Sequence, residues 1–255
     1  MSQMDQEEET SMALPPPTVE ASCIAQRGML TARTQRIVPE ETAVAFTYNG
    51  STHAVMMATP SNLEDFAVGF SFSEGVIQEA SDIESLEVII TPLGVEAQIW
   101  LRKERAETYL GRKRTMAGPT GCGLCGVESL DAAMRPLPRV SQPAWQLTPQ
   151  AIVAAMASLD PAQVLNEATH AVHAAGFWTE TEGLVALRED VGRHNALDKL
   201  AGSLICSKRN AADGILLMTS RISIELIQKA ALLDAPILAA VSAPTAAAIR
   251  LAEEA

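Results

Sequence analysis

The sequence predicts an α/β protein in two parts, an N-terminal α+β unit and a C-terminal α/β domain with helices on both faces of a largely parallel sheet. Three observations predict it. The first half carries alternating strand runs around an Asn-Gly turn, the second half alternates short apolar strands with Ala-rich helical periods, and a proline-rich stretch separates them. The chain has 255 residues, 47% of them hydrophobic, enough for a sizeable core in one or two domains.

Residues 1–34 read as an acidic, proline-rich tail, with Asp5, Glu7, Glu8 and Glu9 followed by Pro15, Pro16 and Pro17. The α+β unit occupies 35–115. Its first signal is TAVAFTYNGSTHAVMMA from Thr42, two alternating runs joined by Asn49-Gly50, a hairpin turn whose residues both tolerate positive φ. Leu63, Phe66, Ala67 and Phe70 then follow helical spacing after a Ser61 or Asn62 cap. Strands are expected at Leu86–Thr91 and Val95–Leu101, joined across Pro92 and Gly94. Arg102, Lys103, Arg105, Arg112, Lys113 and Arg114 form a basic stretch, with Arg135 beyond, that reads either as a solvated strand edge and loop or as bases that would lower the pKa of nearby thiols.

Residues 116–147 hold a cysteine-bearing loop and a linker in which Pro136, Pro138 and Pro143 remove backbone donors. The C-terminal domain, 148–255, opens with Thr148 as cap and Pro149 at the first helical position. Strands at Ala174–Thr179 and Leu184–Arg188 flank a turn at Glu182-Gly183. A helix from about His194 to Ile205, a strand at Ile215–Met218, a helix at Ser223–Leu232, a strand at Ile237–Val241 and a helix at Thr245–Glu253 complete it. In sheets of this kind ligands bind beyond the carboxyl ends of the strands.

Composition excludes several classes. Acids outnumber bases 31 to 19, a net charge of -12, which disfavours a general nucleic-acid or anionic-membrane surface. Aromatics are 4%, too few for base-stacking platforms. No apolar run reaches membrane-spanning length, and the N-terminus lacks the basic and apolar regions of a secretory signal, so the chain reads as cytoplasmic.

Two constellations carry chemistry. In PTGCGLCGVES, Cys122 and Cys125 lie three apart among Gly121, Gly123 and Gly126. Such a pair suits half of a structural zinc site, a thioredoxin-like dithiol, a persulfide-bearing sulfur carrier on a glycine-rich loop, or two inert thiols. No second pair is present to complete a metal site, so no metal is expected. The second constellation is LREDVGRHNALDKLAG, which packs Arg188, Asp190, Arg193, His194 and Asn195 at a strand end and helix start. Its alternative reading is a capping network in which Asp190 or Asn195 caps the helix and Lys199 pairs with Asp198 or Asn195. Two further strand ends, with Ser220, Arg221 and Ser223 and with Ser242, Pro244 and Thr245, would complete a cleft for phosphates or a purine. His170 and His173 read as packing. The H-x-E and P-C-x-x-C signature of zinc deaminases is absent.

These blocks, together with TPSNLEDFAVGFSFSEGVI, SRISIELIQKAA and ILAAVSAPTAAAIRLAEE, resemble the FdhD family, the accessory sulfurtransferases of formate dehydrogenases, over about residues 35–254. The resemblance implies a cytoplasmic homodimer whose second domain has a cytidine-deaminase-like three-layer α/β/α fold without deaminase activity. It implies that Cys122 bears a persulfide, with Cys125 its helper. The sulfur would come from a cysteine desulfurase and pass to the molybdenum cofactor, in its bis(molybdopterin guanine dinucleotide) form, for the formate dehydrogenase catalytic subunit. That cofactor would bind transiently, its guanine nucleotides and phosphates meeting the three strand ends. A non-catalytic cofactor chaperone with a structural or redox dithiol is the alternative. The resemblance also implies another strand after the last helix, before which this chain ends at Ala255.

Overall fold

The computed structural model describes residues 13–115, 137–143 and 145–255. Cys122, Cys125 and the rest of their loop lie outside the described residues.

The chain begins with a long antiparallel ribbon, β1 (Thr18–Arg27) and β2 (Leu30–Pro39), in unbroken register from Thr18 opposite Pro39 to Arg27 opposite Leu30. This corrects the expected tail over 1–34 within its described part. The turn is Gly28-Met29, with Gly28 at φ 61, a weaker hairpin signal than Asn-Gly, and the strands mix polar and apolar residues on both faces.

β3 (Thr42–Tyr48) and β4 (Ser51–Ala58) form the expected hairpin, with Asn49 and Gly50 both at positive φ. β5 (Ile83–Thr91) and β6 (Gly94–Leu101) complete a four-stranded sheet of order β4-β3-β6-β5, parallel only between β3 and β6. One face packs on α1 (Leu63–Ser73), where Phe46, Phe66 and Phe70 meet in edge-on and stacked pairs. Asn62 precedes α1 in left-handed backbone and makes no side-chain cap. The basic stretch is a helix, α2 (Lys103–Thr115), rather than the expected strand edge and loop. Ala106 and Tyr109, three apart, turn onto the core, and Arg105 donates to the carbonyls of Val76 (2.6 Å) and Gly75 (2.8 Å).

In the second unit α3 (Pro149–Ala157) starts as predicted, Thr148 Oγ1 accepting from Ala151 N at 3.1 Å. A short helix α4 (Val164–Thr169) leads to β7 (His173–Thr179) and β8 (Gly183–Asp190), then α5 (Arg193–Cys206), β9 (Ile215–Met218), α6 (Ile224–Leu232), β10 (Leu238–Ala240) and α7 (Ala246–Glu254). All four β9 residues are fully buried, Ile215 and Leu217 against α3, Leu216 and Met218 against the α5–α7 side. Both faces of the sheet are thus covered.

The expectation of a largely parallel sheet is corrected. The order is β10-β9-β7-β8, and only β9 and β10 are parallel neighbours. β8, β9 and β10 do run the same way, but β7, joined to β8 by a short turn, inserts between β8 and β9 and opposes both.

The two units meet where α1 crosses α5. A methyl group built on Gly69 would overlap the Asp198 carbonyl oxygen, and one built on Gly202 would overlap the Asp65 carbonyl oxygen. Glycine is needed on both helices for so close a crossing.

Candidate functional site

The carboxyl ends of β8, β9 and β10, at Asp190, Met218 and Ala240, open on one edge of the second sheet. Because β7 runs against them, its first residue, His173, opposite Asp190, joins that edge. Each of the three strands is followed by a loop and the first turn of a helix, so the starts of α5, α6 and α7 gather on the same rim. Helix starts carry unpaired N–H groups and positive partial charge, which suits anions.

The strand-end residues divide into a buried set and a rim set. Asp190 is fully buried. Its Oδ1 accepts from Gly192 N (2.7 Å) and Asn195 Nδ2 (2.9 Å), while its Oδ2 accepts from Thr59 N (3.0 Å) and pairs with Lys199 Nζ at 2.6 Å. Lys199 also donates to the Thr59 carbonyl (2.9 Å) and sits 5.7 Å from the Phe66 ring centre. Asn195 donates to the Met57 carbonyl at 2.8 Å. Burial pulls the Lys199 ammonium below its ordinary value, and the Asp190 carboxylate opposes that pull. This cluster ties the end of β4 to the turn before α5.

The alternative capping reading therefore holds in kind and changes in detail. Gly192 is the helix cap and contributes no side chain, and Lys199 pairs with Asp190, not with Asp198 or Asn195. Asp198 instead takes Lys229 through both oxygens (2.6 and 2.8 Å) and the Ser73 hydroxyl at 2.6 Å. Arg188 also faces the unit boundary. It holds Asp65 Oδ2 at 2.8 Å and donates to Ser203 Oγ at 2.8 Å. Glu189 accepts the first backbone N–H groups of α4, from Leu165 and Asn166.

The rim set is mixed in exposure, with Ser220 buried, Arg193, His194, Ser223 and Thr245 half-buried and the rest exposed. Arg193 and His194 start α5 half-buried, and Arg193 Nε is buried with no hydrogen-bond partner among the described residues. His194 Nε2 lies 2.6 Å from Glu225 Oε2 in the first turn of α6. That contact holds the Glu225 carboxyl below its ordinary value. His173 lies below the usual imidazole value, first because it is partly buried and then because Arg193 is near. Arg221, Ser242 and Pro244 are exposed, while Ser223 is half-buried at the start of α6. The Ser220 hydroxyl is turned onto the Arg221 carbonyl at 3.1 Å. Thr245 caps α7 through Ala248 N and is tied to the neighbouring loop by its own N–H on the Ile222 carbonyl (3.0 Å).

Of the predicted nucleotide-binding residues, Arg193, His194, Ser220, Arg221, Ser223, Ser242, Pro244 and Thr245 gather on one rim. Arg188, Asp190 and Asn195 are drawn into the unit boundary. Sequence reasoning missed Glu225, whose helical position alone gives no sign of its histidine partner. It also read His173 as packing, and only the antiparallel pairing of β7 brings it to the rim. Among the described residues no group of His, Cys, Asp and Glu could hold a metal ion, and no helix is long and apolar enough to cross a membrane.

Residues 39–255 match the FdhD/NarQ family model. The chain is 52% identical over 221 residues to a sulfur carrier protein FdhD of Agrobacterium fabrum, covering 87% of this chain and 82% of that one. It is 51% identical to the sulfur carrier protein FdhD of Brucella abortus (86% and 82%) and 45% identical to that of Xanthomonas axonopodis pv. citri (96% and 87%). Its fold is similar to a solved structure from Desulfotalea psychrophila described as a formate dehydrogenase accessory protein. The TM-score is 0.69 at 24% identity, over 93% of this chain and 89% of the other.

Proposed function

The chain belongs to the FdhD/NarQ family, and from that premise we propose that it is a persulfide sulfur carrier. It takes sulfur from a cysteine desulfurase onto Cys122 and passes it to the bis(molybdopterin guanine dinucleotide) form of the molybdenum cofactor for a formate dehydrogenase. The observation that carries this reading is the glycine-flanked pair Cys122 and Cys125 inside the matched span, in a chain about half identical to proteins named sulfur carriers.

In the loading step the Cys122 thiolate attacks the outer sulfur of the donor's persulfide. A new S–S bond forms at Cys122, and the donor cysteine leaves as thiolate. For delivery, the Cys125 thiolate attacks the Cys122 sulfur. A Cys122–Cys125 disulfide forms, and the outer sulfur departs as hydrosulfide, reduced by the two electrons the thiols give up. A cellular dithiol then resets the pair.

The rim supports the cofactor half of the reading. Arg193 and Arg221 offer guanidinium groups to phosphates, with His194 beside them, and bidentate arginine contacts are the strongest such anion contacts. Ser223, Ser242 and Thr245, at the starts of α6 and α7, add hydroxyl groups, with Ser220 and Pro244 shaping the loops.

The test is intact-mass analysis of the full chain after incubation with a cysteine desulfurase and cysteine. A gain of one sulfur atom on the wild type and on Cys125→Ala, absent on Cys122→Ala, is the expected result. No gain on the wild type, or a gain that survives Cys122→Ala, rejects it. Absence of sulfur with guanosine diphosphate still bound would favour a non-catalytic cofactor chaperone.

A further inference from the structure

Two contacts of opposite polarity bridge α5 and α6. His194 and Asp198 stand four residues apart on α5, as Glu225 and Lys229 do on α6, so each helix presents its two groups on one face. His194 Nε2 lies 2.6 Å from Glu225 Oε2, and Lys229 Nζ lies 2.6 Å from Asp198 Oδ1. The two rungs are built differently. The inner carboxylate, Asp198, has a side chain 2% exposed and is held by the Ser73 hydroxyl as well as by both contacts from Lys229. The outer one, Glu225, is 21% exposed, and its further contact is a long one, from the Ser223 hydroxyl at 3.5 Å. A partly exposed pair of this kind holds weakly and opens easily.

Glu225 also stands where an anion is favoured. It is the acidic residue in the first turn of α6, within the positive potential of a helix start. Arg193 and Lys229 join His194 in drawing its carboxyl below the ordinary value. Arg193 itself keeps a buried Nε with no hydrogen-bond partner among the described residues. Which ring nitrogen is taken separates two roles. A carboxylate that orients a histidine commonly takes Nδ1 and leaves the outermost nitrogen, Nε2, to the ligand. Here Glu225 takes Nε2.

We propose that Glu225 is the built-in counter-anion of the rim: in the empty chain its carboxylate occupies the place on His194 that a ligand phosphate takes, and the ligand binds by displacing it. This rests on the reading of the rim as a phosphate site and is independent of the sulfur chemistry at Cys122. The contact is autoinhibitory. A ligand that needs the outer rung open is weakened by the fraction of chains in which it is closed. The cost falls on every ligand that brings a phosphate to His194 and spares a neutral nucleoside, which leaves His194 alone. Low affinity of this origin suits a carrier that must let its cofactor go.

The test is calorimetric titration of the full chain with guanosine diphosphate, inorganic pyrophosphate and guanosine, with thermal melts to confirm folding. Glu225→Gln keeps the size of the side chain and removes its charge. It is expected to bind guanosine diphosphate and pyrophosphate about tenfold tighter than wild type, as for an outer rung open in about one chain in ten, and guanosine no tighter. Adding His194→Gln to Glu225→Gln is expected to cancel the gain, because His194 is the group released. Unchanged diphosphate binding by Glu225→Gln overturns the proposal and leaves the rim standing as a phosphate site. Weaker binding does the same and makes Glu225 a positioning residue for His194. A gain shared equally by guanosine, or one that survives His194→Gln, also overturns it. Diphosphate and pyrophosphate that bind neither wild type nor Glu225→Gln overturn the proposal and the phosphate reading of the rim together.

Discussion

The segment from Arg188 to Lys199 does two different jobs on its two sides. Inward, Asp190, Asn195 and Lys199 form a cluster with Thr59 and the Met57 carbonyl in which each charge is buried and has a partner. Outward, Arg193 and His194 stand half-buried on the rim, and Arg193 Nε has no hydrogen-bond partner among the described residues. The difference lies in what each half can afford to lose. A buried ion pair is costly to break but adds little over a well-packed apolar alternative, so its value is in fixing one geometry. A rim group with unused hydrogen-bonding capacity adds nothing to folding and is available to a ligand.

The sharpest way to break this contrast is to remove one partner from the inner cluster. Asp190→Ala leaves the Lys199 ammonium buried without its carboxylate and frees Thr59 N, Gly192 N and Asn195 from their acceptor. The expected loss is about 3–5 kcal/mol in urea unfolding. A loss below about 1 kcal/mol would mean that water already reaches the cluster.

The helix crossing beside it gives the next effect. In an ordinary helix, replacing an interior glycine by alanine stabilises by roughly 0.5–1 kcal/mol. Gly202→Ala should instead destabilise, by about 1–3 kcal/mol, because the methyl meets the Asp65 carbonyl and forces α1 from α5. A stabilised variant would show that the units sit further apart than the structure places them.

Much of this was legible in the sequence. The Asn49-Gly50 turn, the Thr148-Pro149 helix start and the apolar run Ile215–Met218 are local signals, and local signals survive without tertiary context. What was not legible depended on partners remote in the chain. Arg188 and Asp190 look like ligand groups until Asp65 and Thr59, more than 120 residues away, claim them. The helix over Lys103–Thr115 hides because its charged residues outnumber the few that pack. The ribbon hides because neither of its faces is consistently apolar. The parallel sheet was misjudged because direction and adjacency are separate facts, and β7 separates two strands that run alike.

Acid titration gives a smaller test of the rim. His173 and Glu225 both have lowered values in the folded chain, so each contributes stability that is present above its ordinary value and fades as pH falls below it. The His173 contribution should begin to fade below 6.5 and that of Glu225 below 4.5. His194, Arg193 and Lys229 face Glu225, so Glu225→Gln should flatten the more acidic limb of the unfolding midpoint and leave the limb near neutrality unchanged. His173→Asn should do the reverse. Two limbs that respond equally to both variants would show that the rim titrates as one unit.

The most direct measurement sets one residue from each side against the other. Guanosine diphosphate affinity by calorimetry and urea unfolding would be measured together on Arg193→Ala and Lys199→Met. The account predicts that Arg193→Ala weakens the nucleotide about tenfold, the value of one charge-assisted contact, with an unchanged unfolding midpoint. It predicts that Lys199→Met lowers the midpoint while the fraction that remains folded binds as the wild type does. Nucleotide affinity that ignores Arg193, or an Arg193→Ala chain as destabilised as Lys199→Met, would contradict the division of this segment into a structural and a binding side.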